Sequence, residues 1–454
     1  MTTVFVSAGQ IPIRWSTAMA KRRNLRAAPS TGRRQTRAEN PTQENKFDEV
    51  HASDRRLLLI FFAFFVVIPA VSVCLYRFKF APEADRSDPI EHGQKQGGRF
   101  KVDMNYQEIL EENSEVSLNA SRRNYAYPVL AYVTPWNSKG YDVAKKYTKK
   151  FTHISPVWYD LKSQGSGLVL DGRHNADTGW MSELRQNGDA LVIPRIVLEA
   201  VPQELLKSKK LRSKAIDIIV TECMEMEFDG IVLESWSRWA AYGILHDPDM
   251  RNKALQFVKQ LGDTLHSVSS AENNNRPLQL VYVIGPPVSE KPQMHDFGPQ
   301  DLQRLSGAVD GFSLMTYDFS SPQNPGPNAP LKWIKFALQQ LLGPPENAQN
   351  LAPKIYLGLN FYGNDFSISG GSSGGAIIGR DYLALLEKHR PKLQWEENSA
   401  EHFFLYVDDD GKRRAVFYPT LSSISARLEE ALAWGTGVSI WEIGQGLDRF
   451  YDLL

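Results

Sequence analysis

The chain has 454 residues and equal numbers of acidic and basic side chains, so its formal net charge is zero. That balance excludes a whole-molecule field directed at nucleic acid or at acidic partners. Two cysteines, Cys74 and Cys223, exclude a disulfide framework or a cysteine-based zinc site, and neither a cofactor nor a metal is expected.

The first part of the chain reads as non-globular. Residues 1–56 are rich in Arg, Ala, Thr, Asn and Gln, as in Arg33-Arg34-Gln35-Thr36-Arg37. They carry too few apolar groups to offset the entropy of ordering, so disorder is expected. From Leu57 to Leu75 no charge occurs, and the run includes Phe61-Phe62-Ala63-Phe64-Phe65-Val66-Val67-Ile68. About twenty such residues span a bilayer as a helix, which predicts a transmembrane signal anchor over 57–76. Lys and Arg are denser before this segment than after it. The positive-inside rule then predicts a single-pass type II membrane protein of the secretory pathway, in the Golgi, the lysosome or at the cell surface. The remainder would be lumenal or extracellular, with a soluble form released if the anchor is trimmed. Asn119-Ala120-Ser121 is a glycosylation sequon in a stretch, 77–126, that reads as a polar stalk.

From residue 127 to 454 the pattern changes. Short apolar runs occur at Val129–Val133, Phe151–Trp158, Leu191–Leu198, Phe228–Leu233, Leu278–Ile284, Val309–Tyr317, Lys354–Phe361 and Gly437–Trp441. Stretches with apolar residues at three-and-four spacing lie between them, at Lys207–Met226, Asp249–His266, Pro330–Leu342 and Ser422–Trp434. This alternation predicts a parallel sheet with helical crossovers, closed as a (β/α)8 barrel. An open doubly wound sheet is the alternative, without support for its dinucleotide-binding version, because no Gly-x-Gly-x-x-Gly follows the first run. Phe403–Val407 and Ala415–Tyr418 flank Asp408-Asp409-Asp410-Gly411-Lys412, which predicts a β-hairpin inserted after strand seven. The three aspartates read as solvated turn residues, and Gly370-Gly371-Ser372-Ser373-Gly374-Gly375 as a flexible loop over the barrel mouth.

Several of these runs carry a resemblance. Phe151-Thr152-His153-Ile154-Ser155-Pro156-Val157-Trp158-Tyr159, Phe228-Asp229-Gly230, Met315-Thr316-Tyr317-Asp318, the Lys354–Gly363 run and Gly437-Val438-Ser439-Ile440-Trp441 resemble, in order, strands of glycoside hydrolase family 18. Within that family of chitinases they resemble the chitinase-domain-containing, stabilin-interacting chitinase-like group. The family's fourth strand reads Asp-Gly-x-Asp-x-Asp-x-Glu. Its terminal Glu protonates the leaving oxygen, and the Asp before it orients the substrate's own N-acetyl nucleophile. Aligned on Asp229-Gly230, those positions hold Val232, Glu234 and Trp236, so the proton donor is missing. In the alternative register Glu234 takes the acid position, with Gly230 and Val232 where the aspartates belong. The third strand, Val192-Ile193-Pro194-Arg195-Ile196-Val197, also departs from the family's Ser-x-Gly-Gly.

What remains is binding hardware. Tyr132, Trp136, Trp158, Trp236, Tyr317 and Trp441 fall near strand C-terminal ends, where aromatic faces can stack on pyranose C–H faces. Trp441, Tyr317 and Asp318 match family residues that touch the sugar. Arg195, Glu199 and Glu442 at other strand ends point to a polar cleft. The resemblance implies a chitinase-like lectin with Glu234 holding a sugar hydroxyl. Its partners would be chitooligosaccharides or related glycans, lipopolysaccharide and a scavenger-receptor-type protein, in innate defence or glycan handling. The alternative is a glycosidase of altered specificity with Glu234 as acid, and a third reading is a protein scaffold.

Overall fold

The computed structural model describes residues 101–114, 120, 122–269, 276–287, 293–344, 350–369 and 373–454. The basic segment 1–56, the apolar segment 57–76 and the sequon residue Asn119 lie outside them. Among the described residues no helix is long and apolar enough to cross a membrane. The expected placement as a single-pass type II membrane protein is therefore withdrawn.

Eight strands form the barrel: β1 (Val129–Val133), β2 (His153–Gln164), β3 (Leu191–Val192 and Arg195–Leu198), β4 (Gly230–Glu234), β5 (Gln279–Ile284), β6 (Gly311–Leu314), β7 (Ile355–Asn360) and β8 (Gly437–Trp441). Each pairs in parallel with the next, and β1 pairs with both β2 and β8, which closes the sheet. Closure removes the open edges that a doubly wound sheet would keep. Every strand coincides with one of the apolar runs. β2 continues beyond the barrel wall into an antiparallel hairpin with Gly167–Asp171.

Side chains of the barrel strands alternate between two cores. The inner one holds Leu130, Tyr132, Ile193, Val232, Val281, Val283 and Tyr356, with Val157, Met315 and Trp441 packed against it. The outer one, between sheet and helices, holds the alternate residues, such as Val129, Ala131, Ile196, Ile231 and Leu233. Because both faces are buried, the strands read as continuous apolar runs. The helix Pro248–His266 shows how the outer layer is built. Asp247 caps it by accepting from Asp249 N and Met250 N, Pro248 opens it, and Met250, Leu255, Val258, Leu261 and Leu265 form its buried stripe. Two glycines are fixed by close approach. A Cβ on Gly230, at φ +145°, would lie 2.1 Å from Gln279 O, and one on Gly262 would lie 2.0 Å from Ala308 O.

The insertion after β7 is larger than a hairpin. Strands Gly363–Ser367, Gly374–Ile377, Gln394–Glu396, Glu401–Val407 and Arg413–Phe417 form a five-stranded antiparallel sheet, accompanied by the helix Gly379–His389. The Glu401–Val407 and Arg413–Phe417 pair is the expected hairpin. Asp408 accepts from the backbone of Asp410 and Lys412 within its turn, and Asp409 meets Lys388. The glycine-rich stretch enters the sheet at Gly374. Part of the segment read as a stalk packs on the domain: Ile109 of the helix Tyr106–Ser114 is buried, His402 bonds Val102 O, and the Tyr125 hydroxyl donates to Thr436 O.

Candidate functional site

In a parallel barrel the strand C-terminal ends converge on one mouth, and side chains there are held by a rigid sheet yet reach a ligand. Strand parity decides which ones enter. On β3 Ile193 points inward, so Arg195 does too. On β4 Val232 points inward, so Glu234 does too, one step nearer the mouth. Arg195 and Glu234 meet there as an ion pair, with side chains 14% and 16% exposed. This is the one hydrogen-bonded contact of either side chain among the described residues. The Arg195 guanidinium also lies over the Trp441 indole, with Cζ 5.0 Å from the ring centroid, within the range of a cation–π contact. Burial opposes the charge on Arg195, but the Glu234 carboxylate and the Tyr132 phenol outweigh it, and the guanidinium is held above its ordinary range.

The floor beneath them is polar and small. Tyr132 OH donates to Ser313 Oγ at 2.9 Å, and Ser313 Oγ donates in turn to Ser439 Oγ at 3.1 Å. The Tyr132 ring lies 5.3 Å from that of Trp441, and burial pushes its phenol up to about 12. On the other side of the mouth, Asp318 accepts from the Tyr362 hydroxyl, and Tyr362 packs edge-on against Tyr317 at 6.3 Å. Asp318 adopts a left-handed backbone, φ +61°, tolerable for Asp, and its N–H donates to Asn328 Oδ1 at 2.7 Å. Burial raises the Asp318 carboxyl, and the Tyr362 hydrogen bond opposes that rise. Burial also raises the Tyr317 phenol; the Tyr132, Asp318 and Glu234 groups add to the rise and Arg195 opposes it.

Trp136 is 70% exposed, on the loop after β1. Glu199 is tied up by Arg238. Glu442, next to Trp441, is fully buried. It accepts from Asn137 Nδ2 and from Gly444 N, and burial pushes its carboxyl up to about 7.

Two expected cleft residues lie elsewhere. Trp158 is out of phase with inward-facing Val157. It packs in the outer layer against Trp180 and Phe228, and its Nε1 donates to Tyr141 OH. Trp236 follows the end of β4, in the first turn of the helix Trp236–Ala241, which carries it outward. It is 3% exposed, bonds His295 O, packs on Phe297 and lies under Arg251. In the register set by Asp229-Gly230, the acid position is therefore occupied by a tryptophan that does not face the mouth. Tyr362, Ser313 and Ser439 were missed. Tyr362 stands just beyond an apolar run and could have been found from that position, whereas inward-facing serines carry no distinct signal.

A family model described as glycosyl hydrolases family 18 matches residues 128–446. The chain belongs to this family. Solved structures with the same fold include a chitinase from Chromobacterium violaceum, 20% identical, covering 72% of this chain and 98% of that one with a TM-score of 0.57. Another is a family 18 chitinase from Cycas revoluta in complex with (GlcNAc)3, 14% identical, covering 72% and 97% with a TM-score of 0.58. Curated relatives include the cortical fragment-lytic enzyme of Bacillus subtilis (strain 168), 24% identical over 216 residues, 46% of each chain. The uncharacterized glycosylase YvbX of the same bacterium is 26% identical over 158 residues, 34% of this chain and 44% of that one. The chain thus spans less than half the length of these two relatives.

Proposed function

We propose that this barrel binds amino-sugar oligosaccharides at its mouth and does not hydrolyse them efficiently. The observation that carries the reading is the state of β4. Its acid position holds outward-packed Trp236, and its one mouth-facing carboxylate, Glu234, is held by Arg195. A general acid must arrive protonated and unengaged beside the leaving oxygen, and Glu234 instead accepts from a guanidinium. The mouth keeps aromatic and hydroxyl groups suited to sugar rings: Tyr132, Tyr317, Tyr362 and Trp441, Asp318 with its raised carboxyl, and Trp136 at the rim. The (GlcNAc)3 in the Cycas revoluta chitinase supports chitooligosaccharides as the first ligand class to test. Lipopolysaccharide and a role in innate defence follow from the finer resemblance to the stabilin-interacting chitinase-like group and form part of the same reading.

The second reading, a glycosidase with Glu234 as acid, is favoured by the lytic and glycosylase names of the curated relatives. Incubating the full chain with fluorescently labelled chitohexaose separates the two. Retention of the sugar without shorter products supports binding alone. Turnover that disappears in Glu234→Gln supports the glycosidase.

A further inference from the structure

Trp441 has the largest flat face among the inward-pointing side chains at the mouth, and a ring-shaped ligand entering the barrel would come to rest on it. The guanidinium of Arg195 already lies over that ring. It is not a loose surface side chain: β3 fixes its backbone in register with Val232 of β4, and Glu234, two residues further along β4, holds its end. Pushing it aside would separate it from Glu234 in a desolvated place and leave a carboxylate unpaired, which neutral sugar hydroxyls compensate poorly. Tyr132, which packs on Trp441, is buried and hydrogen-bonded to Ser313.

We propose that the Arg195–Glu234 pair is a built-in plug over Trp441, which closes the innermost part of the mouth to a sugar ring and leaves glycan binding to the rim around Trp136. The proposal rests on the glycan-binding reading of the site. It makes Arg195 the residue that sets how deep a chain can enter, and so which saccharides are accepted. Short oligosaccharides that need the deep position are disfavoured, while longer ones lying across the rim are not.

The test is calorimetric titration of the full chain with tri-N-acetylchitotriose. Arg195→Ala opens the space over Trp441 and is expected to tighten binding by about tenfold, one stacked ring's worth. Arg195→Ala/Glu234→Gln, which leaves no unpaired charge, is expected to do the same and guards against a folding defect in the single variant. Adding Trp441→Ala to Arg195→Ala should erase the gain, because the opened ring face is then gone. Binding by wild type with no gain in either Arg195 variant overturns the plug and leaves the glycan reading standing. No binding by wild type or by either opened variant, with all of them folded, overturns both.

Discussion

Among the described residues, one arginine–glutamate pair is fully buried and another, at the barrel mouth, is partly so, and their surroundings differ. Arg427 and Glu401, 4% and 7% exposed, are saturated. Arg427 donates to the carbonyls of Ala400, Ser423, Ala329 and Ser399 as well as to Glu401, which also accepts from the backbone of Asn328 and Ala329. That pair joins the helix Leu421–Trp434, the inserted sheet and the loop that carries Asp318. Arg195 and Glu234 have each other, an indole face and the opening of the barrel. A buried pair held by this many hydrogen bonds is architecture, because most of its donors and acceptors are already engaged. An unsaturated one at a strand C-terminal end has capacity left for a ligand.

The contrast can be broken in several ways, and the largest effect is expected from restoring the family's residue at the wrong place. Trp236→Glu removes a buried indole and puts a carboxylate into the outer layer, where the neighbouring guanidinium, Arg251, is already paired with Asp301. It is expected to destabilise by more than about 4 kcal/mol in urea unfolding and to give no hydrolysis. Arg427→Ala, which leaves Glu401 buried and unpaired, is expected to cost about 3–5 kcal/mol by the same measurement. If either variant unfolds like wild type, the outer-layer position of Trp236 or the architectural role of Arg427 is wrong.

Glu442 gives a pH signature of similar size. Unfolded, a glutamate releases its proton near 4.5, whereas the folded chain holds it to about 7. Between those values the folded state binds more protons than the unfolded one. Stability from this group therefore falls as pH rises from about 4.5 to 7, by about 3 kcal/mol, and is level above that. Glu442→Gln should lack this slope, so the stability difference between variant and wild type should itself change with pH across about pH 4.5–8. A difference that stays constant across that range would show that Glu442 is not held protonated. The smallest effect belongs to the mouth. Arg195→Ala/Glu234→Gln, which removes both charges together, is expected to stay within about 1.5 kcal/mol of wild type in urea unfolding. A loss as large as that of Arg427→Ala would make the two pairs alike.

The barrel was legible because each strand lies in a short apolar run and stretches with apolar residues at helical spacing separate the runs. The same property hid the site. In a strand buried on both faces, hydrophobicity does not show which residues point inward, so Trp158 was read as facing the cleft although Val157 does. A register irregularity in the pairing of β2 with β3 between Val157 and Tyr159 further blurs the count. Trp236 was misplaced for another reason: β4 ends at Glu234 and a helix begins two residues later, which turns the next position outward. Glu234, Tyr132, Tyr317, Asp318 and Trp441 were legible as strand-end residues. That Arg195 reaches both Glu234 and Trp441 was not, since their separation in sequence says nothing about adjacency around a closed barrel. The inserted hairpin was read from its Asp-Gly turn, but its three companion strands have mixed patterns that sequence periodicity does not reveal.

The most direct test of the account is the fate of labelled chitohexaose on the full chain at neutral pH, followed by retention and by product length in the same experiment. The account predicts retained, intact hexaose for wild type and for Glu234→Gln alike. Shortened products from wild type that vanish in Glu234→Gln would contradict it.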